Sequence, residues 1–299
     1  MSRLPGPPDP SIGAPAVGRR RTERPLIGEN DGVIVSSSRI AHAVKTRHRE
    51  LARIARETSD AQWHGPLLLP GWSRLTILCH LRFGALAKFR MTNDTLSDQP
   101  TSYYPLGRSE QRPSTLVPAP QETAKDVVES FVNANMALDT RWTHVGETDW
   151  QRTIREPGDN GDLGALALAN LALLRLTEVE VHGTDLDVGL SRWSDEFVDA
   201  AFPMRVHWLP TRRSNRATAD TTIEGRWQLA ADDGTAFVIS ASGSTVSVEE
   251  GAVDDAPCTI RGTKHALLGF LLGRVELDTL HVSGDPGVAS MFHAAFPSG

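Results

Sequence analysis

Apolar residues recur at helical spacing in four long stretches of the chain. Ile40, Val44, Leu51, Ile54 and Ala55 share one face of a stretch over about 38–60, which Ser36, Ser37 or Ser38 can cap. A second stretch, about 74–92, follows the turn and N-cap Leu69-Pro70-Gly71-Trp72-Ser73. A third, about 122–144, sets Val127, Val128, Phe131, Leu138 and Trp142 on its inner side. The fourth, about 163–188, begins with a run of Leu and Ala that favours helix on propensity alone. After Gly189 the pattern changes. A helix over about 194–208 and a Thr/Arg-rich linker at 211–220 lead to short β-type runs at 222–229, 236–240, 245–248 and 258–261. Residues 264–272 read as helix, 280–283 as strand and 286–296 as a last helix. Four helices with one long connection predict a four-helix bundle, and strands bracketed by helices predict a small α+β unit. The expected division is an arm at 1–36, a bundle at 37–190 and an α+β domain at 191–299. The arm is proline-rich, lacks apolar periodicity and carries Arg19-Arg20-Arg21, so a disordered segment is expected there.

The fourth helix breaks its own pattern. At about 100° per residue, Arg175, Glu178, His182 and Asp185 fall in one narrow stripe flanked by Leu168, Leu171, Leu174 and Val179. Glu180 and Thr184 point the other way. Four ionisable groups on an apolar face are costly unless they are paired or bind a metal. Glu178 and His182, one turn apart, can both reach one ion. Taken alone, the stripe reads first as a salt-bridged structural helix with a satisfied histidine, and a second signal is needed to favour a metal.

Two further histidines lie on inner faces. His48 reads as a core or edge histidine. His80 shares its face with Gly84 and Ala87, small residues that leave space above the imidazole, which makes it a ligand candidate as well as a structural one. Residues 93–121 form a polar connection with five prolines, long enough to be functional. Its Tyr103, Tyr104, Arg108 and Arg112 could bind a polar anionic ligand at a bundle mouth or could be ordinary surface residues.

A net charge of −6 argues against a general nucleic-acid binder. No apolar run reaches the length of a membrane span, and no secretory signal is apparent, so the cytoplasm is the expected compartment. Cys79 and Cys258 sit in regular apolar stretches and suggest no disulfide framework.

The motif Leu69-Pro70-Gly71-Trp72-Ser73 followed by His80, together with Arg175-x-x-Glu178-x-x-x-His182-x-x-Asp185, resembles the mycothiol-dependent maleylpyruvate isomerase family of the DinB superfamily. Tyr104-Pro105-x-Gly107-Arg108, with Arg112 after it, is similar to that family's loop between helices two and three. Gly273-Arg274 is similar to its C-terminal Gly-Arg motif. The resemblance implies a DinB-like bundle followed by a small α+β domain similar to sterol carrier proteins. It also implies a divalent metal, zinc by its donor set, held by His80, Glu178 and His182 with one position open. Arg175 and Asp185 would orient the ligands, and Arg274 would contribute from the second domain. The implied cosubstrate is mycothiol, with Trp72, Tyr104, Arg108 and Arg112 as candidates to bind it. A metal-held thiol loses its proton and becomes the nucleophile.

Two departures bear on the substrate. The arm precedes the point where the isomerases begin. The 93–121 loop is proline-rich after Arg112 and lacks an acidic helix start. These favour a thiol transferase or exchange enzyme acting on a larger biosynthetic intermediate, as when one small thiol is swapped for mycothiol in lincosamide antibiotic assembly. The alternative is the maleylpyruvate cis–trans isomerase. From other classes come a non-catalytic binder holding an apolar ligand in residues 222–296 and a zinc-binding regulator with a closed coordination shell.

Overall fold

The structure is a computed structural model that describes residues 36–65, 67, 69, 71–156, 166–211 and 223–297. The expected arm except its last residue, the linker at 211–220 beyond its first residue, and the start of the expected fourth helix lie outside the described residues. Helix α1 (Ser37–Glu57) opens on Ser36, whose side chain accepts from the Arg39 amide. The first expected helix stops at Glu57, and a short α2 (Asp60–Trp63) restarts on a Ser59–Gln62 capping box. Helix α3 (Arg74–Leu96) starts on Ser73 and runs about a turn further than its pattern suggested. Helix α4 (Arg108–Thr115) lies inside the stretch read as a polar loop. Helices α5 (Ala124–Thr143) and α6 (Leu168–Asp185) complete the set.

Helix α1 packs on α5 and α6, and α3 packs on the same two helices, which makes the four-helix bundle. Ile77, Leu78, Leu81, Phe131, Leu138, Leu168 and Leu176 fill its interior. Helix α7 (Asp195–His207) touches α1 and α6 on one side and α8 (Lys264–Leu271) on the other. The remaining part carries β1 (Ile223–Ala231), β2 (Ala236–Gly243), β3 (Thr245–Glu250), β4 (Cys258–Gly262) and β5 (His281–Gly284). The sheet order is β3-β2-β1-β4-β5, with β1 and β4 parallel and the other pairs antiparallel. The expected last helix is two short ones, α9 (Pro286–Ser290) and α10 (Phe292–Ala295). Trp227 is fully buried against Phe292 and Phe296 and donates its indole N–H to the Val288 carbonyl. Its ring lies over Gly225, where a Cβ would collide with the indole. The result is a helical bundle followed by a small mixed sheet with helices, an α+β arrangement in two parts. No described helix is long and apolar enough to cross a membrane.

Candidate active site

The stripe on α6 faces the bundle interior. Arg175 is fully buried, and each of its three guanidinium nitrogens donates to a partner. Nε donates to His48 Nε2 (3.0 Å), Nη2 to Asn135 Oδ1 (2.7 Å) and Nη1 to Glu178 Oε2 (2.9 Å). Since a guanidinium only donates, His48 Nε2 must be the acceptor, and its Nδ1–H therefore donates to Asp139 Oδ1 at 2.7 Å. Burial pulls the His48 pKa down to about 4 against the opposing pull of Asp139. His48 is thus neither a ligand nor an inert core residue. It holds Arg175, which holds Glu178.

Glu178 is gripped from both sides. Its Oε1 accepts from Lys88 Nζ at 2.7 Å and from the Tyr103 hydroxyl at 3.2 Å. Burial pushes this carboxyl up, but Lys88 and Arg175 outweigh it and hold it well below the usual carboxylate range. Lys88 is 1% exposed and also lies 4.9 Å from the centre of the Tyr103 ring. Gly84, one turn before it on α3, makes the approach possible. A Cβ there would stand 2.6 Å from Glu178 Oε2 and 2.9 Å from Arg175 Nη1. The space left by Gly84 is therefore taken by the Glu178–Arg175 pair, while the sequence suggested room above His80.

His80 and His182 meet edge to face, with ring centres 5.0 Å apart. His80 Nδ1 is buried and makes no hydrogen bond. Burial lowers the His80 pKa to about 3. His182 Nδ1 bonds Asp185 Oδ2 at 2.9 Å, which leaves Nε2 as the nitrogen available to a ligand. Asp185 is in turn clasped by Arg274, whose Nε reaches Oδ1 at 3.0 Å and whose Nη2 reaches Oδ2 at 2.8 Å. Burial raises the Asp185 pKa, but these two partners hold it below its ordinary value. Gly273, at φ +67°, turns the chain after α8 so that Arg274 points at the bundle.

Above the imidazoles lies an aromatic rim. Trp72 stacks on His182 at 5.8 Å and meets His80 edge-on at 5.6 Å. Arg112 lies over Trp72 and Arg108 over Tyr104, each 5.9 Å from the ring centre. Tyr103, Tyr104 and Phe83 pack together, and Arg90 pins the strand of loop beneath them by donating to the Ser102 and Tyr103 carbonyls. Helix α4 brings both arginines to this place.

The site residues named from sequence therefore gather at one end of the bundle. Their fit to a metal can be judged from the donors. Two imidazoles bound to one tetrahedral ion put their ring centres roughly 5 Å apart, and the observed spacing agrees. The unpartnered His80 nitrogen and the Asp185-fixed His182 also suit ligation. The carboxylate differs. Among the described residues no three His, Cys, Asp or Glu side chains stand close enough together to hold an ion, because Glu178 is turned onto Lys88 and Arg175. Lys88, His48, Asn135 and Asp139 were not picked as site residues from sequence. Lys88 follows His80 and Gly84 at i+8 and i+4, and Asn135 follows Phe131 at i+4, so helical spacing carried the signal.

Known proteins can now be set beside this geometry. Residues 44–187 match the family model of the mycothiol maleylpyruvate isomerase N-terminal domain. The match supports the DinB-like family that the motifs resemble. A crystal structure of the mycothiol-dependent maleylpyruvate isomerase superposes with TM-score 0.61 at 15% identity, covering 83% of this chain and 92% of that one. A histidine-to-alanine mutant of that enzyme superposes with TM-score 0.58 at the same identity and coverage. The fold is therefore shared over both the bundle and the sheet. No curated protein sequence matches the chain.

Proposed function

We propose that the chain is a mycothiol-dependent enzyme that forms a C–S bond by thiol transfer or exchange on an electrophilic substrate. The family match makes mycothiol the cosubstrate to test first, and a rim of Trp72, Tyr104, Arg108 and Arg112 above two adjacent imidazoles suits a polar sugar thiol. A divalent ion, zinc by its donors, would be held by His80 and His182 with Glu178 beside them, and when bound would supply acidity to a thiol. Asp185 fixes the His182 tautomer, and Arg175 and Lys88 fix Glu178. The thiolate sulfur attacks the substrate carbon as the bond to the departing thiol breaks, and that thiol leaves with a proton from solvent.

The observation that carries transfer is the state of Arg274. Its two-point contact with Asp185 occupies the guanidinium edge that a substrate carboxylate would need, which supports a role in orienting His182. A second reading is isomerisation of a maleylpyruvate-like diacid, in which the thiolate adds, the former double bond rotates and the thiol is expelled. The family match favours it, and so does the structure of the loop. Helix α4 carries Glu110 in its first turn, so the acidic helix start that seemed missing from this loop is present. The test offers purified protein mycothiol with either maleylpyruvate or an S-conjugated acceptor. A stable mycothiol conjugate from the acceptor is expected. Rapid turnover of maleylpyruvate with no conjugate would replace transfer with isomerisation.

A further inference from the structure

Lys88 stands where the implied metal centre would need its carboxylate. Its ammonium lies 2.7 Å from Glu178 Oε1, on a side chain that is 1% exposed and cannot swing into solvent without opening the bundle. Arg175 takes the other oxygen at 2.9 Å. An ion seated between His80 and His182 thus meets a carboxylate already neutralised by two cations. The nearer of these is on the same helix as His80, two turns on. Like charges inside a bundle repel strongly, because the surroundings screen them poorly. Arg175 belongs to the motif on α6. Lys88 lies outside every motif that the chain shares with the isomerases.

We propose that Lys88 is a competing internal cation that withholds Glu178 from the metal and thereby sets a weakened, two-histidine affinity for divalent ions. The inference rests on the metal reading given above. It casts Lys88 as a positioning residue that acts on the ion through Glu178 and takes no part in the reaction itself. Neutralising it should leave Oε1 with only the longer contact from the Tyr103 hydroxyl and let it turn toward the imidazoles.

The experiment measures zinc affinity of the purified full chain by competition with a chromophoric chelator, and needs no knowledge of the substrate. Lys88→Met should bind zinc at least tenfold more tightly than the wild type. Lys88→Arg, which keeps the charge, should stay within threefold of it. The gain should vanish in Lys88→Met combined with Glu178→Gln, since a carboxamide is a poor ligand. A merely structural role for Lys88 would weaken binding in both single variants. If Lys88→Met does not fold, Lys88→Leu, which neither carries a charge nor donates to Oε1, should show the same gain. Equal affinities in the wild type and the neutral variant overturn the inference and leave the metal reading standing. No zinc binding in either protein overturns both.

Discussion

The Asp139–His48–Arg175 chain makes the stability of the bundle depend on pH in a way that one substitution can isolate. His48 is neutral in the fold, because its Nε2 must accept from Arg175 and a proton there would set N–H against N–H. Its pKa falls from an ordinary value of about 6.5 to about 4 in the folded chain. The unfolded chain therefore binds the proton first as pH drops. The stabilisation due to neutral His48 is full above the unfolded value and is lost progressively as pH falls from there toward the folded one. Between pH ~7 and pH ~5 that loss amounts to about 2 kcal/mol. His48→Gln offers Arg175 a carbonyl acceptor that does not titrate. Urea unfolding followed by tryptophan fluorescence at the two pH values gives the comparison. The wild type should lose about 2 kcal/mol more than the variant on acidification. His80, with its own depressed pKa, titrates in both proteins and cancels. Identical losses in the two proteins would refute the argument, whatever the variant's stability at neutral pH.

Other outcomes follow from the same geometry. Arg175→Met should cost about 3–5 kcal/mol in urea unfolding, since it takes one of two cations from Glu178 and leaves His48 Nε2 and Asn135 Oδ1 without their donor. Gly84→Ala drives a methyl into the Glu178–Arg175 pair and should cost about 1–3 kcal/mol, whereas Ala at exposed Leu86 on the same helix should be nearly neutral. His182→Ala should abolish zinc retention with the far-ultraviolet circular dichroism unchanged, and full stoichiometric zinc in His80→Ala/Glu178→Ala/His182→Ala would remove the metal reading altogether. Arg112→Ala should weaken mycothiol binding in a calorimetric titration by about tenfold, while zinc affinity stays as it was.

Much of the architecture could be read from spacing. The bundle helices emerged because their buried faces repeat every three or four residues, and the strands because short β-branched runs lie between turn residues. Helix α4 did not, since eight residues with a proline inside and few apolar side chains carry no periodicity. Spacing put Glu178 and His182 one turn apart and His80 on an inner face, while their grouping at one site came from the family resemblance. What holds Glu178 was legible in neither. Periodicity places Lys88 on the inner face of α3, but that its ammonium crosses to α6 depends on Gly84 letting the helices close. Likewise Glu180, which pointed away from the stripe, is buried all the same, paired with Arg47 on α1 and bonded to Ser194 before α7. Sequence gives the side of a helix and leaves unstated what waits on that side.

The clasp of Arg274 on Asp185 bears on how such chains can be recombined. The imidazole of His182 takes its orientation from a carboxylate whose own partner is encoded nearly ninety residues later, beyond the first sheet strands. A bundle grafted onto a foreign sheet would keep its helices and its aromatic rim yet leave the carboxylate that orients one histidine without its clasp. The aspartate at the end of α6 should therefore travel with the glycine–arginine turn after α8, or the hybrid would fold with a loosened imidazole.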